Sequence, residues 1–261
     1  MKYKRCFTFG CSFTNFFWPT WPDIIERDLS IPTENWGLCG LGNVGIYHRM
    51  LEADLQHNFT DDDLIIVVWS TWHREDRFLG SWTLNGNIFC DDMMYDKRFR
   101  KKYWHPDNDI IKNSTAIINA SRLYPISYQA KMEGSMETNG NFIYNNSKAL
   151  GVYSKHIPKM DNFPWAYGDK SGNSIENFSG ALNHIDNHPD IKGHLHFVKD
   201  CIYPNLDLQI KNETISYYND MHDKIVSLGR KGQTKKEIKQ FHHLGEFMEK
   251  HIGYKQKRFG L

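Results

Sequence analysis

Six consecutive apolar residues, Leu64-Ile65-Ile66-Val67-Val68-Trp69, restrict the fold more than any other stretch of this chain. A strand without a polar side cannot sit in a sheet that has one wet face. It needs cover on both faces, as a buried strand of a parallel α/β sheet has. Asp61-Asp62-Asp63 closes the turn that leads into it. The preceding chain fits the same architecture. Lys4 to Phe9 reads as a first strand, Trp21 to Leu29 as a helix with Trp21, Ile24, Ile25 and Leu29 on one face, and Glu34 to Cys39 as a second strand. Val44 to His57 reads as a second helix, with Ile46 and Met50, and Tyr47, Leu51 and Leu55, at helical spacing. Strand, helix, strand, helix, strand implies right-handed crossovers and a parallel sheet.

Beyond Arg77 the pattern weakens. Asp91 to Met94 and the basic run Lys97 to Lys102 read as a surface excursion. Ser114 to Met132 has helical content, which Pro125 must kink or end. Gly134 to Asp161 is rich in Gly, Asn and Ser and reads as a loop insertion, and Pro164-Trp165-Ala166-Tyr167 is an aromatic cluster able to cap a pocket. Asp190 to Tyr203 reads as a helix stopped by Pro204, and the chain from Asn205 onward as polar and helical. The expectation is a doubly wound, three-layer α/β/α domain over residues 1–204, with an insertion at about 77–180 and a helical extension over 205–261.

Formal net charge is +1 over 261 residues, which gives no global electrostatic case for nucleic acid or an anionic membrane. No apolar run approaches the roughly 18 residues of a membrane helix. Met1-Lys2-Tyr3-Lys4-Arg5 runs straight into the first strand without an apolar signal core. The five cysteines, Cys6, Cys11, Cys39, Cys90 and Cys201, are scattered and contain no C-x-x-C pair. Reduced thiols and a cytoplasmic setting are expected.

Chemistry is expected where the first strand ends. Ser12 lies just past Gly10, and in open α/β sheets ligands bind outside the carboxyl ends of the strands. A serine there is a candidate nucleophile if a base reaches it. Asp186-Asn187-His188-Pro189 supplies one: in an extended segment, residues two apart can share a side, so Asp186 can orient the His188 imidazole. Each residue also has a plainer reading. A serine after a strand is commonly a helix N-cap, and an aspartate before a proline is commonly a turn former. Cys11 is the rival nucleophile, though a buried structural thiol is the ordinary case. His184, His188, His194 and His196 invite a metal reading, but no acidic or cysteine ligand joins them at a recognised interval, so no metal is assigned. Gly37, Gly40 and Gly42 do not have the dinucleotide spacing. Arg74 is a candidate for an anionic substrate group, or a solvated or paired arginine. Lys235, Lys236 and Lys239 read as a solvated helix face.

Three short blocks carry a family resemblance. Gly10-Cys11-Ser12-Phe13-Thr14, Asn35-Trp36-Gly37-Leu38-Cys39-Gly40, and Asp186-Asn187-His188-Pro189 with Gly193-His194 resemble, in order, the first, second and last blocks of the SGNH (GDSL-type) hydrolases. The resemblance implies a flavodoxin-like sheet order and ester hydrolysis without a cofactor. It implies Ser12 as nucleophile, His188 as base and Asp186 as the acid that orients it, with the Ser12 and Gly40 N–H groups in the oxyanion hole. The substrate it implies is a small acyl ester, such as an O-acetyl group on a sugar. Two departures stand out. Cys11 replaces the usual Asp before the serine, and no Asn occupies the third block, Trp69-Ser70-Thr71-Trp72-His73-Arg74. Thr71, Ser70 and Asn43 are the candidates for the third oxyanion donor. The W-S-x-x-x-R form resembles that of phage and bacterial members. The rival class is a non-catalytic carbohydrate- or protein-binding module on the same scaffold. A nucleic-acid accessory protein using the basic tail is a further rival.

Overall fold

A computed structural model of the chain describes residues 2–78, 95, 97–132, 147–163, 188–240 and 243–260. It resolves into two compact units. The first comprises Met1–Thr14, Glu34–Phe163 and Arg258–Leu261; the second comprises Asn15–Thr33 and Pro164–Lys257.

The first unit is built on a five-stranded parallel sheet flanked by helices, the expected α/β architecture. Its strands are β1 (Arg5–Gly10), β2 (Thr33–Asn35), β3 (Asp63–Trp69), β4 (Tyr128–Met132) and β5 (Asp161–Phe163), in the order β2-β1-β3-β4-β5. β1 and β3 run in parallel register from Arg5 opposite Asp63 to Gly10 opposite Val68. Every residue of β3 is buried, so both faces are covered, as its unbroken apolar run requires. One face packs Phe7, Phe9, Ile65, Val67 and Trp69 against Ile46, Met50 and Ala53 of α2 (Asn43–His57) and Ile117 and Ala120 of α4 (Pro106–Leu123). Between β3 and α4 stands the short α3 (Lys97–Tyr103), which has no buried residue. α5 (Lys148–Tyr153) lies between β4 and β5.

β2 is shorter than the sequence suggests, but its path along β1 continues. The Trp36 N–H donates to the Thr8 carbonyl at 2.8 Å and the Leu38 N–H to the Gly10 carbonyl at 3.1 Å. The segment Ser114 to Met132 divides where Pro125 predicts. α4 stops at Leu123, Tyr124 is extended (φ −114°, ψ 147°), and β4 follows.

The second unit is helical. It contains α1 (Trp21–Leu29), α6 (Ile191–Phe197), α7 (Asn212–Arg230), α8 (Gln233–Glu237) and α9 (His243–Ile252). α1 has the expected bounds and opens on a capping box. The Thr20 side chain and the Asp23 carboxylate satisfy each other's backbone N–H groups, with Pro22 in the first turn. α6 does not run on regularly to Tyr203. It widens into a π-helical turn over Val198–Ile202, and a last turn, Tyr203–Asn205, follows. Pro204 cannot donate an N–H, and loss of the regular ladder near a proline is its usual consequence. Asp28 ties this unit together, accepting from Tyr203 Oη and the Lys211 N–H, each at 2.9 Å. Among the described residues no helix is long and apolar enough to cross a membrane.

Candidate active site

The strand order reverses between β1 and β3. β2 lies to one side of β1, and β4 and β5 lie beyond β3. In a doubly wound sheet this is where the two crossovers diverge and leave a crevice at the carboxyl ends of the strands. Ser12 follows β1 at that end, and Ser70 to Asp76 follow β3.

Gly10 lets the chain turn here. A Cβ on it would lie 2.1 Å from Thr14 Oγ1 and 2.9 Å from the Val68 carbonyl, so no larger residue permits the turn to fold back on the strand end. The turn closes with the Thr14 N–H on the Cys11 carbonyl at 2.9 Å. Ser12 sits inside it, 5% exposed. Cys11 is fully buried, its Sγ 3.3 Å from Met132 Sδ on β4, which matches the structural reading of this thiol. Cys6, Cys11, Cys39 and Cys201 are all unbridged; Cys90 lies outside the described residues.

The end of β2 is pinned to this turn by Asn35. Its Nδ2 donates to the Thr14 carbonyl at 2.7 Å, and its Oδ1 accepts from the Gly37 N–H at 3.1 Å. Gly40 follows with φ +78°, the left-handed region that favours glycine. α2 then begins, and its first N–H groups are met by a residue that sequence reasoning missed. The Asp76 carboxylate accepts from the Gly42 N–H at 2.6 Å and from the Gly45 N–H at 2.8 Å. A Cβ on Gly42 would lie 2.7 Å from that carboxylate, so its approach depends on glycine. Burial pushes the Asp76 carboxyl above its ordinary value; the two N–H groups and Arg74 oppose this without reversing it. No local signal reveals this cap, because it comes from the far side of β3.

The loop after β3 is braced the same way. Ser70 and Asn43 exchange two hydrogen bonds, from the Ser70 N–H to Asn43 Oδ1 at 2.7 Å and from Asn43 Nδ2 to the Ser70 carbonyl at 3.1 Å. Arg74 Nη1 donates to the Leu41 carbonyl at 2.8 Å. Thr71 Oγ1 is 3.2 Å from His73 Nε2. Burial, with Arg74 adding to it, lowers the His73 imidazole to about 4, so it is neutral near pH 7. Ser12, Gly40, Thr71 and Arg74 thus stand in loops that follow β1, β2 and β3, and Asn43 is the first residue of α2. Asn43 and Arg74 each also brace the loop after β3.

Asp186 lies outside the described residues, and His188 belongs to the second unit. The His188 ring stacks on Phe16, centroids 4.0 Å apart and planes 19° from parallel. Its neighbour Pro189 accepts from Trp18 Nε1 at 2.9 Å. Asp190 caps α6, taking the Gly193 N–H at 2.6 Å, and its other oxygen is 3.4 Å from Nε2 of the buried His222. Burial pushes Asp190 up, but His222 and the Gly193 N–H outweigh it and hold the carboxyl below its ordinary value. His194 is fully buried, and burial drives its imidazole down to about 3, against the pull of Asp190. A neutral core residue is one of the plainer roles for a histidine in this cluster. His196 pairs with Asp200 at 3.4 Å, and His184 lies outside the described residues. Among the described residues no three His, Cys, Asp or Glu side chains are grouped to hold a metal ion.

No family model and no curated protein matches the chain. Solved structures do. The chain is similar to a lipolytic protein of the G-D-S-L family from Desulfitobacterium hafniense at 15% identity and a TM-score of 0.39, over 73% of this chain and 93% of that one. It is similar to a G-D-S-L lipolytic protein from Veillonella parvula at 14% identity and a TM-score of 0.41, over 74% and 92%. It is similar to a psychrotrophic esterase from Pseudoalteromonas at 11% identity and a TM-score of 0.33, over 61% and 78%.

Proposed function

We propose that this chain is a serine ester hydrolase that removes a small acyl group. Ser12 attacks the acyl carbonyl, His188 takes the serine proton and gives it to the leaving alcohol, water activated by His188 then attacks the acyl-enzyme to release the acid and restore Ser12, and Asp186 fixes the tautomer and orientation of His188. The Ser12 and Gly40 N–H groups receive the oxyanion, with Asn43 and Thr71 as side-chain candidates for a third donor. Arg74 is the candidate contact for an anionic substrate group, and an O-acetylated carbohydrate is the candidate substrate. No cofactor takes part in this sequence of steps. The observation that supports the reading most is the position of Ser12. It stands in a glycine-dependent turn at the carboxyl end of β1, where the strand order reverses.

One observation favours a second reading, a non-catalytic binding module on this scaffold. Asn43 is held against the Ser70 backbone and Arg74 against the Leu41 carbonyl, so both side chains already do structural work. Loss of one oxyanion donor costs about 10²–10³ in rate where it has been measured.

Covalent labelling separates the two. A fluorophosphonate should modify Ser12 and no other residue, and the protein should hydrolyse p-nitrophenyl acetate. Ser12→Ala should abolish both, and His188→Ala should slow labelling by about 10²-fold or more. An unlabelled Ser12, together with no turnover on acetylated sugars, would leave the binding module as the better reading.

A further inference from the structure

A second cleft lies beyond the loop after β3, with a volume of about 360 Å³. Phe99 and Tyr103 of α3 and Trp104, just past its end, line it together with Glu75, Arg77 and Asp109. The rings form a connected set: Tyr95 to Phe99 is 4.6 Å between centroids and Phe99 to Tyr103 is 5.7 Å. Tyr103 is 62% exposed.

The charged groups that line the cleft already have partners. Glu75 pairs with Lys112 and lies 3.7 Å from Arg77. Asp109, almost wholly buried, accepts from Trp104 Nε1 at 2.6 Å. The guanidinium of Arg77 stands 5.7 Å from the Phe99 ring centre and 6.0 Å from that of Tyr95, and Lys102 Nζ stands 5.1 Å from that of Tyr103. A ligand cation would compete with Arg77 and Lys102 for those rings, and the lining cation that a ligand anion would need, Arg77, already faces Glu75. What suits the cleft is a neutral molecule with apolar C–H faces to lay on rings and hydroxyl groups to exchange hydrogen bonds with Asn108 and Glu75. Its volume is near the low end of the roughly 300–1,000 Å³ of small-molecule sites, which suits one or two sugar rings.

We propose that this cleft binds a neutral saccharide of one or two rings, with Tyr103 as the stacking platform. The proposal goes beyond the ester-hydrolase reading, and the binding does not require Ser12 to be a nucleophile.

The test is titration of the ¹⁵N-labelled full chain with cellobiose, maltose and N,N′-diacetylchitobiose. The Trp104 indole signal is assigned by its loss in Trp104→Phe. At least one disaccharide should shift that signal saturably, with a Kd of about 1 mM or tighter. Tyr103→Ala should weaken binding about fivefold to tenfold, the value of one aromatic contact. Its thermal midpoint should be unchanged, because the side chain is largely exposed. If that variant does not fold, Asn108→Ala is read in its place and should also weaken binding. The proposal is overturned if no disaccharide shifts the signal, if the folded variant binds as the wild type does, or if tetramethylammonium or glucuronate binds more tightly than the neutral sugars. Ser12→Ala should bind like the wild type. Saccharide binding without ester hydrolysis would remove the hydrolase reading alone, and hydrolysis of simple esters without saccharide binding would remove the cleft proposal alone.

Discussion

Asp76 and Asp190 each cap a helix with a carboxylate, one in each unit, but they reach it differently. Asp190 precedes α6 and takes the N–H three residues on. Asp76 takes N–H groups of α2 that lie 34 and 31 positions earlier in the chain, so its cap also fastens the loop after β3 to the start of a helix that precedes β3. Their surroundings differ too. At Asp190 the His222 partner and the Gly193 N–H outweigh burial, while at Asp76 burial outweighs two N–H groups and Arg74, so one carboxyl is held below its ordinary value and the other above it. A local cap stabilises one helix, whereas a non-local cap sets the geometry of a site.

The largest effect that separates them should come from Asp76→Ala. It removes two charge-assisted hydrogen bonds and leaves the Gly42 and Gly45 N–H groups without that partner. The expected loss is about 2–4 kcal/mol in urea unfolding. Because the loop after β3 is released, the rate of Ser12 labelling should fall as well. A loss below about 0.5 kcal/mol, the ordinary range of a neutral surface change, would show that the non-local cap is ornamental.

Asp190→Ala should cost less, about 0.5–2 kcal/mol, since it removes one N-cap bond and the His222 partner. The same chemistry at a local position should leave the labelling chemistry of Ser12 unchanged relative to protein that remains folded. If Asp190→Ala costs as much as Asp76→Ala, the distinction between local and non-local caps fails for this chain.

The same distinction explains what was legible in the sequence. β1, α1, α2 and β3 were readable because each carries its own signal: an apolar run, a helical period, or a glycine or proline at the boundary. α1 even carries its capping box within Thr20 to Asp23. β4 was hidden because Tyr128, Ala130 and Met132 alternate only briefly after a long helical pattern, and the three-residue β5 buries only Phe163. α3 was hidden because a helix that buries nothing has no period to read. At the site, Ser12 and Arg74 were singled out by position and residue type, and Gly40 by the resemblance of its block. Asn35 is an Asx-type residue at a strand end, so its turn-forming role was readable in principle. Asp76 and the stack of Phe16 on His188 were not, because each joins segments that only the fold brings together. The role of Arg74 was readable only as a choice between substrate and structure.

The smallest effect, and the finest test of the comparison, is the pH dependence of stability. Stability rises with pH where the unfolded chain binds more protons than the folded one, and falls where it binds fewer. Asp190 has a depressed folded value, so its contribution is present above the ordinary aspartate value near 3.8 and is lost as pH falls through the folded value. Asp76 has a raised folded value, so its contribution is present below 3.8 and is lost as pH climbs through the folded value. The two slopes therefore have opposite signs and occupy windows on either side of about pH 4. Urea unfolding at intervals from pH 3 to pH 7 should show this by subtraction. Relative to Asp190→Asn, the wild type should lose stability below about pH 4. Relative to Asp76→Asn, it should lose stability as pH rises above about pH 4. Slopes of the same sign would mean that Arg74 and the two glycine N–H groups outweigh burial at Asp76, and that the two caps are electrostatically alike.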